Sequence, residues 1–158
     1  MTEDFFPEFD DILEEGGDTI QFFSEETDFN LGNQAAISDW IKKIISKENN
    51  SLRQLNFILC NDEYLHKMNV EYLNHDTLTD IITFPYCDPP VVHSDIFISV
   101  ERVEDNAKIF NTSFNNELHR VIIHGVLHLC GYGDKTEEEQ KIMKEKEDEA
   151  LLLLKHHK

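Results

Sequence analysis

A chain of 158 residues is long enough for one domain with a substantial core, and nothing in its length demands a second. No apolar run approaches the roughly 20 residues of a membrane-spanning helix, and the N-terminus lacks the basic start and apolar centre of a secretory signal, so a soluble cytoplasmic protein is expected, with no membrane partner. The formal net charge of −18 argues against a protein that grips polyphosphate through its general surface, and no DNA partner is expected.

The acid is unevenly spread. Residues 1–29 hold 11 of the 32 Asp and Glu and none of the 14 Lys and Arg, which leaves the remainder at −7. Any contact with RNA therefore needs a locally basic cleft. Cys60, Cys87 and Cys130 are an odd number at wide spacing, which predicts free thiols rather than a disulfide framework.

Residues 1–18 mix acids with isolated Phe and show neither helical nor strand period, which reads as a flexible tail ahead of a single domain over 19–158. Thr19 to Phe23 suits a first strand. Asn33 opens a helical stripe of Ala36, Ile37, Trp40, Ile41, Ile44 and Ile45. After the breaker Asn49-Asn50-Ser51, Leu55, Phe57 and Leu59 alternate with Gln54, Asn56 and Ile58 as a strand would, and Ile58 implies cover on both sides near its end. Asn61 is placed to cap a second helix carrying Leu65, Met68 and Tyr72 and ending by Asn74. Thr79 to Phe84 reads as a buried strand closed by Pro85, Cys87 to Pro90 as a loop, and Ser94 to Val100 as a further strand.

A helix from Glu101 to Asn111 follows, and Thr112 to Asn116 offer caps to the next one, which is apolar nearly all round and contains His124. Thr136 with Glu139 forms a capping box for a last, highly charged helix with Ile142, Met143, Ala150, Leu151 and Leu154 inward; His156 and His157 fall in a terminal tail. The fold class is α/β, of the α+β type: one mixed sheet of about four strands packed by helices, with the His124 helix central and buried.

His124 and His128 stand four apart on that helix, so both imidazoles share one face. Gly131 can take a positive φ and turn the chain back, bringing Asp134 to the same point. Two imidazoles and a carboxylate with an open position describe a catalytic metal site, with zinc and non-haem iron both compatible. The spacing is also that of the metzincin proteases, but those carry a glutamate where this chain has Gly125. A missing side chain there leaves room beside the metal for a bulky anion such as a phosphodiester. Arg120, one turn before His124, is a candidate either for phosphate binding or for an ordinary surface or helix-pair role. His119, five residues before His124, points off the ligand face, His66 and His75 stand at no ligand spacing, and Cys130 reads as a small core residue.

The run His124-Gly125-x-Leu127-His128-Leu129-x-Gly131-Tyr132 resembles the signature of the YbeY family of ribosomal RNA maturation factors. Met68-Asn69 through Tyr72, Asp76, Thr79-Asp80-Ile81-Ile82-Thr83-Phe84-Pro85 and Ser94 to Ser99 agree in order and spacing, so the resemblance spans roughly residues 19–154. It implies a zincin-like fold and one divalent metal, usually zinc, on His124, His128 and Asp134. It also implies single-strand-specific endoribonuclease activity in ribosomal RNA processing, with metal-activated water attacking. Asp80 and Arg120 would be substrate-binding, and ribosomal RNA, ribosomal proteins or the assembling small subunit the partners. Alternatives are an assembly partner with a mainly structural metal, or a zinc metallopeptidase. The family's usual Asp-His after Gly-Tyr is here Gly133-Asp134, and its usual arginine after Tyr72 is here Leu73.

Overall fold

The computed structural model describes residues 19–73 and 79–157. The expected tail at 1–18, the helix end at Asn74, His75 and the matching Asp76 lie outside the described residues. Four strands form one sheet in the order β1-β2-β4-β3: β1 (Thr19–Ser24), β2 (Ser51–Cys60), β3 (Ile81–Pro85) and β4 (Val91–Ser99). β1 and β4 both run parallel to β2, and β3 closes the edge antiparallel to β4. Pro85 sits on that edge strand, where its missing N–H costs no ladder bond in the sheet interior. Five helices complete the chain: α1 (Gln34–Lys47), α2 (Asp62–Leu73), α3 (Val100–Ile109), α4 (Phe114–Leu129) and α5 (Glu137–His157).

Alternation on β2 divides the core. Leu55, Phe57 and Leu59 join the apolar stripes of α1, α4 and α5 in the larger cluster, while Ile58 and Cys60 point the other way to meet Leu65 and Met68 of α2. The two-sided cover expected at Ile58 is present, and it explains why β2 and β4 read as nearly unbroken buried runs: parallel strands with helices over both faces have no wet side. Gln54 and Asn56 depart from the simple strand pattern, being 0% and 1% exposed. They are held by a polar row, Gln54 Nε2 donating to Asn56 Oδ1 at 3.1 Å and Asn56 Nδ2 to Asp95 Oδ1 at 3.2 Å, which offsets part of their desolvation, the buried Gln54 Oε1 having no hydrogen-bond partner among the described residues.

Local capping sets the helix starts. The Tyr64 N–H donates to Asn61 Oδ1 at 2.8 Å, so Asn61 caps α2. Ser99 caps α3 through the Arg102 N–H, and Ser113 caps α4 through the Asn116 N–H. The capping box is formed in both directions: the Glu139 N–H donates to Thr136 Oγ1 at 3.1 Å, and the Thr136 N–H to Glu139 Oε1 at 3.2 Å.

Helix α5 continues through His157, so the two terminal histidines lie within a helix rather than a tail. On it Met143, Ala150 and Leu154 are buried, whereas Ile142 is exposed, because the inward stripe passes one residue to its side. Trp40 Nε1–H of α1 donates to the Ala150 carbonyl of α5 at 2.7 Å in a buried contact that satisfies the one polar atom of the indole and fixes the two helices together. No helix among the described residues is long and apolar enough to cross a membrane.

Candidate metal centre

Helix α4 is the central helix, with Leu118, Val121, Ile122, Ile123, Val126, Leu127 and Leu129 buried on the sheet and its neighbours. It ends where the sequence requires. The Tyr132 N–H returns to the Leu127 carbonyl at 3.1 Å and the Gly131 N–H to the His128 carbonyl at 3.1 Å, with Gly131 at φ 115°. This pair of bonds around a left-handed residue is a Schellman motif, and only glycine takes that conformation without a steric cost. The reversal delivers Asp134 beside the helix: its Oδ2 lies 3.4 Å from His124 Nε2.

Each histidine is held by its other nitrogen. His124 Nδ1 lies 2.7 Å from Glu147 Oε2, and His128 Nδ1 lies 3.1 Å from the Tyr132 carbonyl oxygen. A carboxylate and a carbonyl can only accept, so both Nδ1 atoms carry the proton and both Nε2 atoms are left as the donors available to a cation. These anchors are themselves braced. Arg120 Nη1 binds Glu147 Oε1 at 2.8 Å and Nη2 binds Asp148 Oδ1 at 2.6 Å. Tyr132 donates its hydroxyl to Glu48 Oε1 at 2.6 Å, and Lys146 binds the other oxygen of Glu48 at 3.2 Å. Helix α5 thus steadies both histidines, one directly and one through the loop.

The electrostatics favour a cation. Asp80, Glu117, Asp134 and Glu147 all act on His124 or on one another, against the guanidinium of Arg120 and, at Asp80, that of Arg102. Burial pushes the Asp80 and Glu117 carboxyls up from their ordinary range. His124 is pushed up first by its hydrogen bond to Glu147, with Asp134 and Asp80 adding to it against the effect of burial. A divalent ion would relieve the repulsion among these acids.

At two positions donor chemistry and spacing suit a metal. Two ligands of one tetrahedral zinc, each about 2.0–2.1 Å from it, lie roughly 3.4 Å apart. His124 Nε2 and Asp134 Oδ2 have that separation, 3.4 Å, with both other histidine nitrogens already engaged. Among the described residues no three His, Cys, Asp or Glu side chains are grouped closely enough to hold a metal ion. Two corners fit, and His128, exposed on the next turn of the same face, is the residue that would complete them.

Two other residues stand differently from expectation. Gly125 does not open onto the cleft. It is buried against the sheet, and a Cβ there would meet Ile81 Cδ1 at 2.8 Å, so the glycine serves close helix-to-sheet packing and creates no room for a substrate. Arg120 lines the cleft, but both arms of its guanidinium are taken by Glu147 and Asp148. Asp80 lies just before β3, where Asn106 Nδ2 approaches its Oδ2 at 3.4 Å.

Glu147 was not singled out by sequence. The signal was present, since it falls between Met143, Ala150 and Leu154 on the inward stripe of α5 and is itself 7% exposed. An acid in the middle of an apolar stripe needs a buried partner.

The cleft beside these residues measures about 610 Å³ and is lined by Phe110, Thr112, Asn116, Glu117, Arg120, His124, Asp134, Gln140, Met143, Lys144 and Glu147. Residues 20–155 match the family model described as Endoribonuclease YbeY. A protein named Endoribonuclease YbeY from Flavobacterium johnsoniae is 54% identical over 131 residues, covering 83% of this chain and 94% of that one. Its namesake from Christiangramia forsetii is 52% identical over 134 residues, covering 85% and 93%. The solution structure of a Thermotoga maritima protein superposes with a TM-score of 0.64 at 29% identity, covering 86% of this chain and 89% of that one. With the histidine-bearing helix, its glycine stop and the match along nearly the whole described chain in agreement, this protein belongs to the endoribonuclease YbeY family.

Proposed function

We propose that this protein is a metal-dependent endoribonuclease that cleaves single-stranded RNA during ribosomal RNA maturation, acting in the cytoplasm on RNA of the assembling small subunit. The observation that carries the reading is the paired arrangement of His124 and Asp134 at 3.4 Å, with the Nδ1 atoms of His124 and His128 each held by a fixed acceptor. His124, His128 and Asp134 would hold one divalent ion, most simply zinc, in a zincin-like setting. Such an ion supplies Lewis acidity towards a phosphodiester oxygen and lowers the pKa of water.

The chain's own residues supply orientation. Glu147 and the Tyr132 carbonyl fix the two imidazoles in the tautomer that presents Nε2. Arg120 keeps Glu147 in place and offsets part of its charge. Peptide hydrolysis draws no support: the position where zincin proteases carry a general-base glutamate is Gly125, where a Cβ would already meet Ile81 Cδ1 at 2.8 Å.

The test is cleavage of a single-stranded RNA by purified protein, with and without a chelator, followed by zinc add-back. Cleavage lost with chelator, restored by zinc and reduced at least about 100-fold in Asp134→Ala is expected if the ion does the chemistry. Chelator-insensitive cleavage that survives in His124→Ala, with folding confirmed by circular dichroism, would remove the metal from the reading.

A further inference from the structure

The cleft has one apolar feature that its metal-holding residues do not use. Phe110, directly after α3, lines the same cleft as His124 and Asp134 yet is 64% exposed, and its neighbour Ile109 is 71% exposed. An aromatic ring left in water forgoes the stabilisation of burial. The backbone that carries it is held in place. The Phe110 N–H donates to the Asn106 carbonyl at 2.9 Å, the Asn111 N–H to Lys108 at 3.3 Å and the Thr112 N–H to Ala107 at 2.9 Å, with Asn111 at φ 57°. That is a second Schellman-type stop, and it fixes the backbone that carries the ring at the cleft rim.

Cationic groups lining this cleft are few. Arg120 binds two carboxylates, and Lys144 lies 3.6 Å from Asp148. Affinity for RNA cannot rest on phosphate charge alone in such a cleft, whereas every unpaired base offers a π-face that stacks on an aromatic ring independently of sequence.

We propose that Phe110 is the stacking platform for an unpaired nucleobase of the RNA strand lying in this cleft, an inference that rests on the endoribonuclease reading above. A base inside a duplex already has both faces covered by its neighbours, so a platform at this rim selects single strands. Phe110 is thus a specificity-determining residue, separate from the residues that would hold the metal.

The experiment compares wild type with Phe110→Ala, Phe110→Leu and Phe110→Trp on a short single-stranded RNA and on the same sequence in a duplex. For the single strand, kcat/KM should fall about 10-fold or more in the Ala and Leu variants and be retained in Trp, with the change mainly in KM. Duplex cleavage should not change. The Trp variant adds a readout that needs no turnover: fluorescence from position 110 should be quenched when the single strand binds, while Trp40, 1% exposed, contributes a constant background. Zinc content should be equal in all four proteins.

Wild type that cleaves and discriminates, beside Ala or Leu variants that do so equally well, would overturn the platform while leaving the nuclease reading intact. Wild type with neither cleavage nor binding of the single strand would overturn both.

Discussion

Glu147 Oε2 stands 2.7 Å from His124 Nδ1 while Arg120 grips the other oxygen of the same carboxylate at 2.8 Å. Glu147 is 7% exposed, so it is an acid withdrawn from water and divided between an imidazole and a guanidinium. Loss of such an orienting partner typically weakens metal binding about 10–100-fold. Zinc affinity, measured by competition with a chromophoric chelator, should fall in that range for Glu147→Ala. It should fall less for Glu147→Gln, whose amide oxygen can still accept from Nδ1. Equal affinity in wild type and Glu147→Ala would show that His124 needs no such anchor.

Ile81 Cδ1 and the bare α-carbon of Gly125 meet across the boundary between β3 and α4, where an added Cβ would come within 2.8 Å. Replacing a mid-helix glycine by alanine ordinarily gains about 1 kcal/mol, and overpacking costs roughly 1–3 kcal/mol. In the wild-type background Gly125→Ala should therefore be neutral to destabilising. In Ile81→Val, which removes the Cδ1 methyl, the same change should turn stabilising. Urea denaturation of the four proteins gives the coupling, expected at about 1 kcal/mol or more; additive effects would mean that Gly125 is not held by Ile81.

That contact also marks where sequence stops being informative. The histidine pair, the Gly131 stop and the Thr136–Glu139 box are set by local backbone geometry, so spacing along the chain was enough to place them. Gly125 was read as space beside a metal because its neighbour Ile81 lies 44 residues away and is brought there only by the register of β3 on β4. For the same reason the sequence leaves Arg120 open between phosphate binding and a helix-pair role: Glu147 and Asp148, which decide for the second, reach it only once α5 has packed on α4. Glu48 and Tyr132, 84 residues apart, brace His128 from α1 and have no local signature at all. Positions on a helix face were legible, but what stands opposite each face was not.

The polar row under the sheet has its own consequence. Asp95 is 0% exposed, and burial pushes its carboxyl up to about 6, against the hydrogen bonds from Tyr86 and Asn56 that favour the charged form. An unfolded aspartic acid titrates near 4. Between about pH 4 and 6 the folded protein therefore keeps a proton that the unfolded chain has released, so this group makes stability fall as pH rises through that window and has no further effect above it. Asp95→Asn is neutral at every pH and lacks the slope. Any hydrogen bond to Tyr86 that the amide fails to reproduce shifts the variant by a constant. Unfolding free energies of the two proteins, measured in urea from pH 4 to 8, should thus diverge in favour of Asp95→Asn by about 1–3 kcal/mol up to pH 6.5 and run parallel beyond it. Subtracting one protein from the other removes the titrations they share. Curves that stay parallel over the whole range would mean that Asp95 is ionised in the folded protein throughout.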